Sequence, residues 1–213
     1  SRAGRLLCQR AESVAMEPHA ADLLVVSVFN GIGGAFRGYD IAGVRPQGLV
    51  AIEWDKAAQR ITRKAWPQVI EVKDVEEVDK AMVEEWFNAF PRVQQVDVIG
   101  GFPCVHLSAV RAGRMNLSGE GSKLFWNLVQ LIKWVEEVFS PTAAVEFVVE
   151  NVLSMDAEAR EEISQQLGVE PLALCPSDVL PYNRPRLAWV SSAVEAGEGV
   201  TRSEEHTSEL PVT

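Results

Sequence analysis

The chain has 213 residues, 47% of them hydrophobic and 23% charged, and carries a formal net charge of −10. That length supports one full-sized domain with a real core rather than two. No apolar run approaches the roughly 18 residues of a membrane helix, and the acidity argues against a surface coated with nucleic acid.

Residues 1–20 contain Leu6-Leu7 beside two arginines but no continuous apolar stretch, so they do not read as a secretory leader. The chain starts at Ser1 rather than at methionine, and this segment is expected to be a partial or disordered N-terminal piece. Ala21–Phe29 is a β-branched apolar run that ends in Asn30-Gly31-Ile32-Gly33-Gly34. Strand, glycine turn and an opening helix at Ala35 form the first βα unit of a nucleotide-binding sheet. The glycines let backbone approach a ligand, and the helix N-terminus favours a negative group.

A second strand, Gly48–Ile52, ends at Glu53, 53 − 31 = 22 residues after Gly31. An acid at that tip is placed to accept hydrogen bonds from ribose hydroxyls. Trp54 is placed either to stack on an adenine or to cap the sheet edge, and Asp55 starts a helix running through Lys64. Val69–Val72 is a short third strand followed by Asp74-Val75, and Asp74–Phe87 shows the spacing of one amphipathic helix with a solvated acidic face.

The fourth strand, Val96–Ile99, stops at Gly100-Gly101 and opens into Phe102-Pro103-Cys104. A parallel sheet places its ligands just past such a carboxyl end, which suits Cys104 as a nucleophile; most lone cysteines are instead small buried hydrophobes. Between Val110 and Trp134 the basic residues Arg111, Arg114, Lys123 and Lys133 face a single acid, Glu120, so a local basic loop survives the acidic total. The helix Leu124–Val138 follows, then a fifth strand, Ala144–Val149, ending in Glu150-Asn151-Val152. Asp156–Gln166 reads as a helix, and Pro171–Cys175 with Arg186–Ser191 as a closing strand pair. The fold class is therefore α/β with a mostly parallel sheet. The three cysteines are scattered and indicate neither a disulfide framework nor a zinc cluster; no metal is expected.

The ordered set FNGIGG, EWD, KDV, GGFPC, ENV and NRPR resembles successive motifs of the cytosine-5 DNA methyltransferases over about residues 23–190. The loop after Cys104, with its serine, glycines and Leu-Phe helix start, is similar to that of the animal de novo enzymes. The resemblance implies a Rossmann-like S-adenosylmethionine-dependent methyltransferase fold with an antiparallel closing strand. It implies methyl transfer to carbon 5 of cytosine in DNA through a covalent Cys104 adduct. Glu150, Arg184 and Arg186 are the other catalytic residues by this pattern. Phe29, Asn30, Gly31, Ile32, Gly33, Glu53, Trp54, Asp74, Val75 and Pro103 are the cofactor-binding set, and Ser108, Arg111, Arg114 and Asn151 the substrate-binding set. Further implications are a flipped cytosine in DNA, no membrane, homo- or hetero-oligomers with related subunits, and nuclear location in a eukaryotic source or cytoplasmic location otherwise.

Departures from the family pattern are Val105 where glutamine or asparagine is usual after Pro-Cys, and Tyr182 before NRPR. Residues 193–213 form a short polar tail in place of a target-recognition domain. Their RSEEHTSEL run resembles a translated sequencing adapter, and the tail is expected to be disordered. The catalytic core is thus expected over 21–192. Competing readings are a transfer-RNA cytosine methyltransferase, which shares Pro-Cys and Glu-Asn-Val, and an inactive cofactor-binding regulatory fragment. A zinc deaminase lacks its second cysteine ligand, because Leu107 stands there. A nicotinamide dehydrogenase leaves Cys104 and Glu150 unexplained.

Overall fold

The computed structural model describes residues 19–103, 123–175, 184–192 and 201–202. The strands are β1 (His19–Val28), β2 (Val44–Ile52), β3 (Ile70–Val72), β4 (Gln95–Gly101), β5 (Ala144–Val152), β6 (Leu172–Leu174), β7 (Arg186–Val190) and β8 (Thr201–Arg202). The helices are α1 (Gly34–Ile41), α2 (Lys56–Ala65), α3 (Lys80–Ala89), α4 (Lys123–Phe139) and α5 (Ala157–Leu167). The sheet order is β3-β2-β1-β4-β5-β7-β6-β8. β3, β2, β1, β4 and β5 run parallel, and β7 closes antiparallel on β5.

Alternation along the strands sends side chains to two cores, one on each face. On one face Leu24, Val26 and Val28 join Val50, Ile52, Val96 and Val98 under α3, α4 and α5. On the other, Leu23, Val25, Leu49 and Ala51 pack with Phe36 of α1, and Trp66 lies against them. Being covered twice, the second halves of β1 and β2 are apolar but for Ser27 and Gly48, as buried parallel strands are.

The starts of α2, α3 and α5 follow aspartates. Asp55 accepts from Ala57 N at 2.6 Å, Asp79 from Met82 N at 2.8 Å and Asp156 from Ala159 N at 2.8 Å. Each cap satisfies an otherwise unpaired first-turn amide. Two such caps divide the Asp74–Phe87 segment that the sequence reads as one helix. Asp74 caps a 3-10 turn over Val75–Glu77, Val78 is extended, and Asp79 then starts α3. Thr201 and Arg202, which the sequence places in a disordered tail, pair antiparallel with Ala173 and Leu172. The outer edge of β6 offers free backbone groups that such a strand satisfies. Among the described residues no helix is long and apolar enough to cross a membrane.

Candidate active site

Strand order reverses between β1 and β4, and ligands of open parallel sheets bind beyond the strand ends at such a switch point. A cavity of about 250 Å³ opens there, lined by Phe29, Ile52, Glu53, Trp54, Asp74, Val75, Pro103 and Leu124. Six of these eight belong to the cofactor-binding set derived from sequence. They reach the cavity from four places: the ends of β1, β2 and β4, and the 3-10 turn.

The glycine turn is held by side chains from β2 and α2. Glu53 accepts from Gly31 N at 2.7 Å with one carboxylate oxygen and from Asp55 N at 2.8 Å with the other. Gly31 has φ +55°, with open space where a Cβ would stand. Gly33 has φ +89°, and a Cβ there would lie 2.4 Å from Trp66 Cζ3. Phe29, the residue before the turn, has φ +55°, a strained value for an aromatic residue at the cavity wall. Asn30 is buried, donates to Thr62 Oγ1 at 3.0 Å and to Gly31 O at 3.2 Å, and its Oδ1 has no partner among the described residues. Ile32 and Trp54 are exposed large hydrophobics at the rim.

A second cluster lies where β4 meets β5. Gly101 and Glu150 are register partners, and a Cβ on Gly101 would stand 2.6 Å from Glu150 Oε2. Glycine here leaves room for the carboxylate to lie across the strand end. Arg186 Nε forms an ion pair with Glu150 Oε1 across the antiparallel β5/β7 pair, where the two are diagonal neighbours. The resemblance counts Arg186 among the catalytic residues; the structure engages it with Glu150. Both side chains are partly open to solvent, so the attraction is screened and serves orientation more than stability. Arg184 is exposed, just before β7.

The sequence offers Asn151 as a substrate contact; in the structure its amide is turned to backbone. It is only 2% exposed, donates to Phe102 O at 3.0 Å and accepts from Val152 N at 2.8 Å. Its Nδ2 thus fixes the backbone two residues before Cys104 while its Oδ1 holds the end of its own strand, because a buried amide must find partners locally. Phe102 packs against Phe125 with centroids 5.1 Å apart, which ties the same segment to α4.

Cys104, Ser108, Arg111 and Arg114 lie outside the described residues. Two lining residues lie outside the set derived from sequence: Ile52, which ends β2, and Leu124. The signal for Leu124 was its place as an apolar residue in the first turn of the helix after the β4 loop. Lys123 beside it bonds Glu76 Oε2 at 2.5 Å, joining the start of α4 to the 3-10 turn.

These features define an α/β protein with a nucleotide-sized cavity at the switch point and a carboxylate–guanidinium pair beside the Pro-Cys strand end. The family of C-5 cytosine-specific DNA methylases matches residues 23–168, and the chain belongs to it. Curated relatives include DNA (cytosine-5)-methyltransferase DRM2 of rice, 30% identical over 54% of this chain and 20% of its own length. Another is DRM1 of Arabidopsis thaliana, 30% identical over 52% of this chain and 19% of its length. The chain thus spans about a fifth of these relatives.

Among solved structures, an E. coli prophage protein assigned as a DNA modification methyltransferase superposes with TM-score 0.58 at 21% identity. The match covers 79% of this chain and 46% of that one. Spodoptera frugiperda DNMT2 gives TM-score 0.57 at 16% identity over 81% and 49%. The fold is shared with these methyltransferases.

Proposed function

We propose that this chain is the donor-binding and catalytic core of a DNA cytosine-5 methyltransferase. The observation that carries the reading is the convergence of Phe29, Glu53, Trp54, Asp74, Val75 and Pro103 on one cavity, with Glu150 at the neighbouring strand end.

S-adenosylmethionine fits the residues present. Glu53 offers carboxylate oxygens for ribose hydroxyls, Trp54 and Val75 offer apolar surface for adenine, and Asp74 an acceptor for its amino group. Asn30 Oδ1, a buried acceptor lacking a donor among the described residues, suits the ammonium of the amino-acid part. When bound, this group supplies an electrophilic methyl.

The base chemistry falls to the chain. Cys104, next after Pro103, adds as thiolate to carbon 6 of a flipped cytosine, which makes carbon 5 nucleophilic. Glu150 stands to donate a proton to the ring nitrogen, which neutralises the negative charge that addition places there. Arg186, held on Glu150, orients that carboxylate. After methylation a base removes the carbon 5 proton, the electron pair restores the ring double bond, and the thiolate leaves. Asn151 keeps the backbone before Cys104 in place throughout. In a eukaryotic source the place of action is the nucleus, and related subunits are its partners.

The test is covalent trapping on a duplex containing 5-fluorocytosine with S-adenosylmethionine, because fluorine cannot leave as the proton does. A shifted band, absent in Cys104→Ala and from a matching RNA, is the expected result. Donor binding without a band would restrict the chain to a cofactor-binding module. Neither binding nor band would overturn the reading.

A further inference from the structure

Thr62 lies mid-way along α2, is 1% exposed, and belongs to none of the motifs that mark the site. A buried threonine inside a helix usually returns its hydroxyl to a carbonyl of its own preceding turn. This one reaches out of the helix instead. Its hydroxyl accepts from Asn30 Nδ2 at 3.0 Å and lies 3.4 Å from Gly31 O, as a donor to it. Asn30 donates to the same carbonyl at 3.2 Å.

The consequence falls on Gly31. Its N–H is given to Glu53, and its C=O is held by Thr62 and Asn30. Both peptide planes flanking its Cα are therefore pinned, which fixes a left-handed conformation that glycine adopts no more readily than others. The Gly31 N–H in turn sets where Glu53 Oε2 stands, and Glu53 lines the cavity. A chain of contacts runs from the interior of α2 through the Gly31 peptide to the cavity carboxylate.

We infer that Thr62 is a positioning residue for the donor site: through Asn30 and the Gly31 peptide it holds Glu53 in the orientation that receives the ligand. The inference rests on the proposed donor cavity. Preorganisation of this kind shows in affinity, because a turn that must be ordered on binding subtracts its ordering cost.

The experiment is calorimetric titration of S-adenosylmethionine into the intact chain and into Thr62→Val, Thr62→Ser, Asn30→Ala and the Asn30→Ala/Thr62→Val pair. Thermal unfolding of each ligand-free protein runs alongside. Valine keeps the β-branched shape and removes only the hydroxyl; serine keeps the hydroxyl. The expected result is a five- to tenfold weaker Kd for Thr62→Val, about the effect of one lost hydrogen bond. Thr62→Ser stays within about twofold of the parent, and the double variant is no weaker than Asn30→Ala alone. Should Thr62→Val unfold, Thr62→Ala takes its place in the same cycle with Asn30→Ala, and the same non-additivity decides.

Parent-like affinity in Thr62→Val, or a double variant weakened by the product of the single effects, would overturn the inference while leaving the donor cavity standing. No binding by the parent chain would remove the donor cavity and the inference together.

Discussion

The two halves of the site are built differently. On the β1/β2 side polar groups are tied to backbone: both oxygens of Glu53 accept amides, and the Gly31 peptide is held from two directions. On the β4/β5 side Glu150 is held by a side chain, Arg186, and overhangs a glycine. Backbone-anchored groups have little freedom to lose on binding, whereas a side-chain ion pair can exchange partners. A donor that binds in every turnover suits the first construction. On the proposed function, a base that leaves a helix and needs a carboxylate to turn toward it suits the second.

The sharpest way to break this contrast is Gly33→Ala. The methyl would meet the Trp66 ring at 2.4 Å at a φ of +89°, so overpacking and backbone strain act together. Together they are expected to cost about 2–4 kcal/mol and to lower the midpoint of thermal unfolding by roughly 5–15 °C. Donor binding should fall by at least about tenfold, because the turn itself must shift. Gly34→Ala, one residue on and with open space around it, is the control and should leave the midpoint near that of the parent. Calorimetry and thermal unfolding of both variants read the difference, and equal behaviour of the two would mean that the turn is not rigid.

Much of the rigid half was legible in the sequence. A β-branched run, glycines and an acid at the next strand tip are local signals, and the strand register that joins them follows from parallel pairing. What escaped was tertiary. Thr62 carries no mark in a helix sequence, and its partner lies 32 positions away. Leu124 resembled any core leucine. The Glu150–Arg186 contact depends on the antiparallel register of β7, which no spacing reveals. Asn151 is assigned to the substrate by resemblance alone, and the contact of its buried amide with Phe102 is one that no spacing reveals. The break between the 3-10 turn and α3 was visible, since Asp79 is a strong cap, but unbroken acidic–apolar periodicity outweighed it.

Gly101→Ala probes the side-chain half. The new methyl meets only the far end of Glu150, which can swing aside, so the thermal midpoint should move by less than about 2 °C. Donor affinity should hold within about twofold, since Gly101 does not line the cavity. Trapping on the 5-fluorocytosine duplex should fall by about ten- to a hundredfold, the usual cost of a displaced catalytic group. Parent-like trapping would show that Glu150 can reach the base from more than one position.

The smallest expected effect concerns what ties α1, and with it the turn, to the strand leading to Gly101. Tyr39 of α1 donates its hydroxyl to Asp97 of β4. Burial first, then the hydrogen bond to and charge of Asp97, raise the tyrosine pKa well above its ordinary value of about 10. The folded chain therefore retains this proton where the unfolded chain has released it. This contribution to stability is complete below about pH 10 and is lost as the pH rises beyond it. Tyr39→Phe should cost about 1 kcal/mol near neutrality, the worth of one hydrogen bond, with Asp97 keeping its bond from Gln95. Above about pH 10 the gap between parent and variant should narrow, because phenylalanine has no proton to lose. Denaturant titrations at pH 7 and pH 10.5 check both the sign and the convergence. A gap that stayed constant or widened with pH would mean that the folded chain holds the tyrosine proton no more tightly than the unfolded chain, and that this bond does not fasten α1 to β4.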